Sequence, residues 1–72
     1  MNKLPHSWAF FNDGSEGFQI VLDYLNDNYK RNYVGVKMCF YGISKKGNPL
    51  CSQARRAFKE ILTIQQFKEA IQ

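Results

Sequence analysis

Tyr33-Val34-Gly35-Val36-Lys37-Met38-Cys39-Phe40-Tyr41-Gly42-Ile43 is the longest apolar, β-branched and aromatic run in the chain. Such composition predicts a central strand. Successive side chains of a strand alternate between its faces. Val34, Val36, Met38 and Phe40 therefore share one face, and Tyr33, Lys37, Cys39, Tyr41 and Ile43 share the other. The first face is the expected core, lying under the helix that precedes it. The second face has two readings. If C-terminal helices cover it, Tyr33, Cys39 and Tyr41 are core. If they dock elsewhere, Tyr33, Lys37 and Tyr41 form an open aromatic and basic surface.

Upstream, Met1 to His6 reads as a flexible N-terminal arm, and residues 7–72 read as a single domain. Ser7-Trp8-Ala9-Phe10-Phe11 predicts a short aromatic strand, and Asn12-Asp13-Gly14 a turn. Asp13 and Glu16 have the spacing of a capping box, which predicts a helix from Gly14 or Ser15 to Tyr29 or Lys30. Phe18, Val21, Leu22, Leu25 and Tyr29 form its apolar stripe. Tyr24 is expected to widen that stripe, with Ile20 left as a scattered surface residue.

Downstream, Ser44-Lys45-Lys46-Gly47-Asn48 reads as a polar loop. Asn48 and Pro49 suit an N-cap and first helical position, so a second helix is predicted from Pro49 to Leu62. It would bury Leu50, Ala54, Ala57, Phe58 and Ile61 and expose Ser52, Arg55, Arg56 and Lys59. Thr63 and Gln66 then form a capping box, with Leu62 and Phe67 at the hydrophobic-staple positions, so a last helix is expected over Ile64–Ile71. The expected order is β-α-β-α-α. The fold class is α+β or small α/β, with helices packed on a two- to three-stranded sheet whose strand directions stay open.

The 72 residues predict one domain with a small core. They are 44% hydrophobic, with six Phe, four Tyr and one Trp, which is a globular and not a disordered profile. No targeting segment or membrane-length run is present, so the reading is a cytoplasmic protein with no membrane partner. Cys39 and Cys51 are too few for a disulfide framework and read as reduced thiols, with a single bridge as the other reading. Charge is unevenly placed. Lys3 stands against Asp13, Glu16, Asp23 and Asp27 in the first 28 residues, and every other cation lies beyond them, opposed only by Glu60 and Glu69. A basic C-terminal part of an overall +4 chain suits an anionic partner.

No catalytic constellation is apparent. His6, the only histidine, falls on the flexible arm next to Pro5, so neither a thiol nor a hydroxyl has a positioned base to activate it. Three soft ligands without paired spacing do not predict a zinc site. Asp23 and Asp27 lie one turn apart on a polar helix face, and Gly14 and Gly17 lack the spacing of a phosphate loop. No enzyme activity, cofactor or metal is expected.

Gln53, Ala57, Thr63 and Phe67 fall at offsets that resemble part of a helix-turn-helix motif, although Ile61 occupies the turn position that family fills with glycine. The resemblance covers residues 53–67. It implies a recognition helix reading a groove with Gln65, Gln66 and Lys68, and Arg55, Arg56 and Lys59 on phosphates. Tyr33 and Tyr41 flanking Lys37 would also suit stacking on RNA bases. The leading expectation is a small non-catalytic protein-binding modulator or inhibitor. It would meet an acidic protein surface through Arg55, Arg56, Lys59, Lys37, Tyr33, Tyr41, Lys45 and Lys46, with homodimerisation through an exposed strand edge as a further option. The alternative is a nucleic-acid-binding regulator that uses the same basic residues and the C-terminal helix pair.

Overall fold

The computed structural model describes residues 3–14 and 17–72. Strand β1 (Trp8–Asn12) leads into helix α1 (Phe18–Tyr29), and then β2 (Cys39–Ile43), β3 (Pro49–Ser52), a 3-10 turn (Arg55–Ala57), β4 (Glu60–Ile61) and helix α2 (Ile64–Ile71) follow. The four strands form one mixed sheet in the order β3-β2-β1-β4. β1 pairs antiparallel with β2, and β2 antiparallel with β3, while β4 runs parallel to β1. The fold is α+β, and its sheet has more strands than the two or three expected.

Both helices contribute to one face of the sheet. Trp8, Phe10, Cys39, Tyr41 and Ile43 meet Val21, Leu22 and Leu25 of α1 and Phe67 of α2 in a single buried cluster. Trp8, Tyr24 and Phe67 form an aromatic triad there, with centroids 5.2 to 6.3 Å apart. Tyr24 thus widens the apolar stripe of α1, and Ile20 is exposed. On the other face Phe11 stands opposite Phe40 with rings 4.7 Å apart, and the buried Phe58 lies 6.2 Å from Phe40. Residues 53–59 carry Phe58 as they run from β3, at one edge, to β4, at the other.

Three expectations are corrected. The long strand 33–43 is a five-residue strand preceded by a non-sheet segment. Residues 37 and 38 form a turn in which Met38 has φ 65°. A left-handed residue breaks period-two alternation, so Val34, Val36 and Met38 point to solvent at 71%, 46% and 62% exposure. The core face of the strand is Cys39, Tyr41 and Ile43, and Phe40 is half-buried on the opposite face.

The second helix, 49–62, does not form. Pro49 opens a strand instead, a position that equally tolerates its missing N–H. Gly47, at φ 87°, helps turn the chain so that Ser44 N–H bonds Asn48 O at 2.8 Å and β3 pairs with β2. That pairing overrides the helix propensity of Ala54-Arg55-Arg56-Ala57, of which only one 3-10 turn survives. Ala54, expected in the core, is exposed.

Helix α1 starts at Phe18, later than expected, with Gly17 at its N-cap and no side-chain cap. The Asp13–Glu16 box includes Glu16, which lies outside the described residues. At the other end of the chain, the Thr63–Gln66 capping box is complete and Phe67 is buried. Near the N-terminus, Lys3 N–H donates to Ala70 O at 2.6 Å and Leu4 packs against the core.

Candidate functional site

The segment from Arg31 to Val36 has no regular secondary structure and belongs to no strand. Side chains hold it where a neighbouring strand otherwise would. Asn26, on α1, accepts from Tyr33 N–H at 2.8 Å and donates to Tyr33 O at 3.2 Å. The Tyr41 hydroxyl, rising from β2, accepts from Val36 N–H and lies 2.8 Å from Val34 O and 3.2 Å from Val36 O. Asn12, at the end of β1, donates to Val36 O at 3.1 Å and receives Gly14 N–H on its other amide atom. Its own carbonyl takes Met38 N–H at 2.6 Å. Gly35 lies against the Phe18 ring, where a Cβ would approach to 2.4 Å.

Two of these supports are expensive to bury. Tyr41 is 1% exposed and Asn12 is 2% exposed. A buried amide or hydroxyl must have its hydrogen bonds made, and both do. With these polar atoms holding the backbone of the segment, Val34, Val36 and Met38 are left exposed, and we refer to them as the apolar ridge. Lys30 and Arg31, which precede it in sequence, and Lys37, which lies between Val36 and Met38, are exposed. Tyr33 is half-buried with its ring 6.3 Å from that of Tyr41. Tyr41 is thus a core support and not a surface residue, and the expected open face of Tyr33, Lys37 and Tyr41 does not exist.

A second group of cations gathers beyond the other end of β2. Lys45 N–H bonds Ala57 O at 2.9 Å, which draws the Lys45-Lys46 turn alongside the 3-10 turn bearing Arg55 and Arg56. Lys59 N–H bonds the Ser7 hydroxyl oxygen at 3.0 Å, and that hydroxyl lies 2.9 Å from Ile43 O, so Lys59 is fixed near the same end of the sheet. All five side chains are exposed, and none is paired with a carboxylate among the described residues. Between the two turns lies a cleft of about 460 Å³ lined by Ser44, Lys45, Lys46, Asn48, Pro49, Leu50 and Ala57. Lys37 is separated from this group by the length of β2, roughly 17 Å at the usual rise per residue. The eight residues expected to share one site are therefore divided between two ends of the molecule and its core.

The groove-reading arrangement fails on different grounds. No helix spans residues 53–62 to pair with α2. Gln66 is engaged in the cap of α2, with Thr63 N–H donating to it at 2.9 Å, and Gln65 donates to Glu69 at 3.0 Å. Lys68 is exposed on the same short helix.

Comparison with protein-family models, characterised proteins and solved structures finds no match. The chemistry of the described surface is thus the basis for a functional reading. Among the described residues no cluster of His, Cys, Asp or Glu has metal-binding geometry, and no helix is long and apolar enough to cross a membrane. Cys39 and Cys51 are free thiols on neighbouring strands. Burial raises the Cys51 thiol above its ordinary 9.0, a hydrogen bond with Tyr41 opposes this, and Cys39 adds to the rise. Burial likewise raises the Tyr41 hydroxyl above 10.0, with the Val36 hydrogen bond opposing. The outer edge of β3 is four residues long and begins with a proline, which blunts it as a template for another strand.

Reading the sequence missed the ridge and its supports. Val34, Val36 and Met38 look like core because they are apolar and alternate. Gly35 inside the run was the available signal, since glycine weakens a strand interior and marks close approach. Asn12 and Asn26 carry no sequence signal beyond being amides near element ends.

Proposed function

We propose that this chain is a small non-catalytic protein-binding modulator, and that its contact surface is the Val34–Val36–Met38 ridge with Lys30, Arg31 and Lys37 around it. The observation that carries this reading is the exposure of three apolar side chains within five residues, on a backbone bonded by the buried Asn12 and Tyr41 side chains. Exposed apolar side chains clustered in sequence suit an interaction site, and backbone already hydrogen-bonded before binding has less entropy to lose on association. The flanking cations favour a partner whose apolar patch is rimmed with carboxylates. Backbone groups of Tyr33, Val34 and Val36 are already bonded to side chains, so recognition here runs through side chains and not through strand addition.

Affinity capture from lysate tests the reading, using the wild-type chain beside Val34→Asp with Met38→Asp, each with and without nuclease. The expected result is a discrete protein that survives nuclease and is lost with the double variant, whose circular dichroism matches wild type. Capture that disappears with nuclease would favour the nucleic-acid regulator. Equal capture by the variant would remove the ridge from the reading.

A further inference from the structure

We propose a second binding site at the opposite end of β2, one that receives an acidic peptide segment carrying a single aliphatic side chain. The site is the cleft between the β2–β3 turn and the 3-10 turn. Its volume of about 460 Å³ falls within the roughly 300–1,000 Å³ of ordinary ligand pockets. Pro49, Leu50 and Ala57 give it apolar walls, and Lys45 and Lys46 line its polar side. Arg55 and Arg56 immediately precede Ala57 on the turn that closes it, and the Lys45–Ala57 backbone bond fixes the spacing of the two walls.

The combination of walls and cations selects the occupant. Aliphatic walls suit a branched aliphatic side chain; none of the lining residues is aromatic, so the cleft offers no stacking platform for a nucleobase. Four exposed cations without carboxylate partners among the described residues favour acidic residues on both sides of that anchor. Arg55 and Arg56 can take carboxylates two atoms at a time, and Lys45 and Lys46 act as mobile point charges. The site shares no residue with the ridge and stands without it.

Fluorescence anisotropy with labelled peptides tests the proposal. The probe is a seven-residue peptide with a central leucine and three acidic residues on either side; its control has serine in place of leucine. The leucine peptide is expected to bind, with affinity falling about tenfold for the serine control, a change of about 1.4 kcal/mol. Lys45→Glu with Lys46→Glu is expected to abolish binding, and these exposed positions leave the fold intact. Val34→Asp with Met38→Asp is expected to leave peptide binding unchanged, which separates this site from the ridge. Equal binding of both peptides overturns the proposal, because the cleft then contributes nothing beyond charge. Loss of binding with the ridge variant overturns it too, as does tighter binding of a single-stranded oligonucleotide that Lys45→Glu with Lys46→Glu also abolishes. No binding of the leucine peptide at low salt refutes it outright.

Discussion

The Tyr41 hydroxyl joins a buried strand to an exposed segment through three backbone contacts. Tyr41→Phe keeps the ring in the core and deletes all three. The expected loss is about 1–3 kcal/mol, since Val34 and Val36 backbone groups lose their partners, and it is read from the denaturant midpoint. Faster amide hydrogen exchange at Val36 should accompany it. The same hydroxyl makes stability sensitive to alkali. Tyr41 and Cys51 both have raised values in the fold, so the folded state holds these protons more tightly than the unfolded chain does. Their contribution is complete below about pH 9 and is lost as pH rises through 9 to 10 and beyond. Melting curves between pH 8 and 11 should show this decline, and Tyr41→Phe, with no phenolic proton there, should flatten it. Gly42 is constrained differently: an added Cβ would fall 2.0 Å from Trp8 O, a backbone atom of the neighbouring strand. Gly42→Ala should cost about 2–3 kcal/mol by overpacking, measurable as a lowered melting temperature.

Helix α2 owes its start to a reciprocal cap, in which Gln66 N–H reaches Thr63 Oγ1 at 3.1 Å and Thr63 N–H reaches Gln66 Oε1 at 2.9 Å. Thr63→Ala should cost about 1 kcal/mol in a urea melt, with no burial term, because both residues are exposed. This helix was legible from sequence because everything that starts it lies within four residues. Helix α1 was legible in its stripe, since Val21, Leu22 and Leu25 repeat at helical spacing, and less so at its start, where Gly17 offers no side chain. Strand β1 was legible from its aromatics. Residues 49–62 were not. Proline suits the first position of a helix or of a strand, and the partner that decides between them is β2. The ridge was illegible for a related reason: its shape depends on Asn12, Asn26 and Tyr41, which bond across 24, 7 and 5 to 7 residues of sequence. The cationic cluster was half legible. Its members are basic at a glance, but only the pairing of two turns separates Lys37 from Lys45, Lys46, Arg55 and Arg56.

Across the molecule, the two ends of β2 differ chemically: exposed Val34, Val36 and Met38 precede one, and a cleft lined by Lys45 and Lys46 lies beyond the other. The ridge and the cleft share no residue, so substitutions in them should act independently. Combining Val34→Asp and Met38→Asp with Lys45→Glu and Lys46→Glu should change unfolding free energy by the sum of the separate effects, within about 0.5 kcal/mol. A larger departure in the melts would mean that the two ends communicate. Of the strand pairings, that of β4 with β1 joins the residues furthest apart in sequence: Ser7 and Lys59, bonded beside it, are 52 residues apart. During synthesis the ribosome therefore releases β1, α1 and the β2–β3 hairpin before the strand that completes their sheet exists. Sheets closed by such distant segments fold slowly, and until Glu60 emerges the hydrophobic edge of β1 is open to chaperones and to other nascent chains.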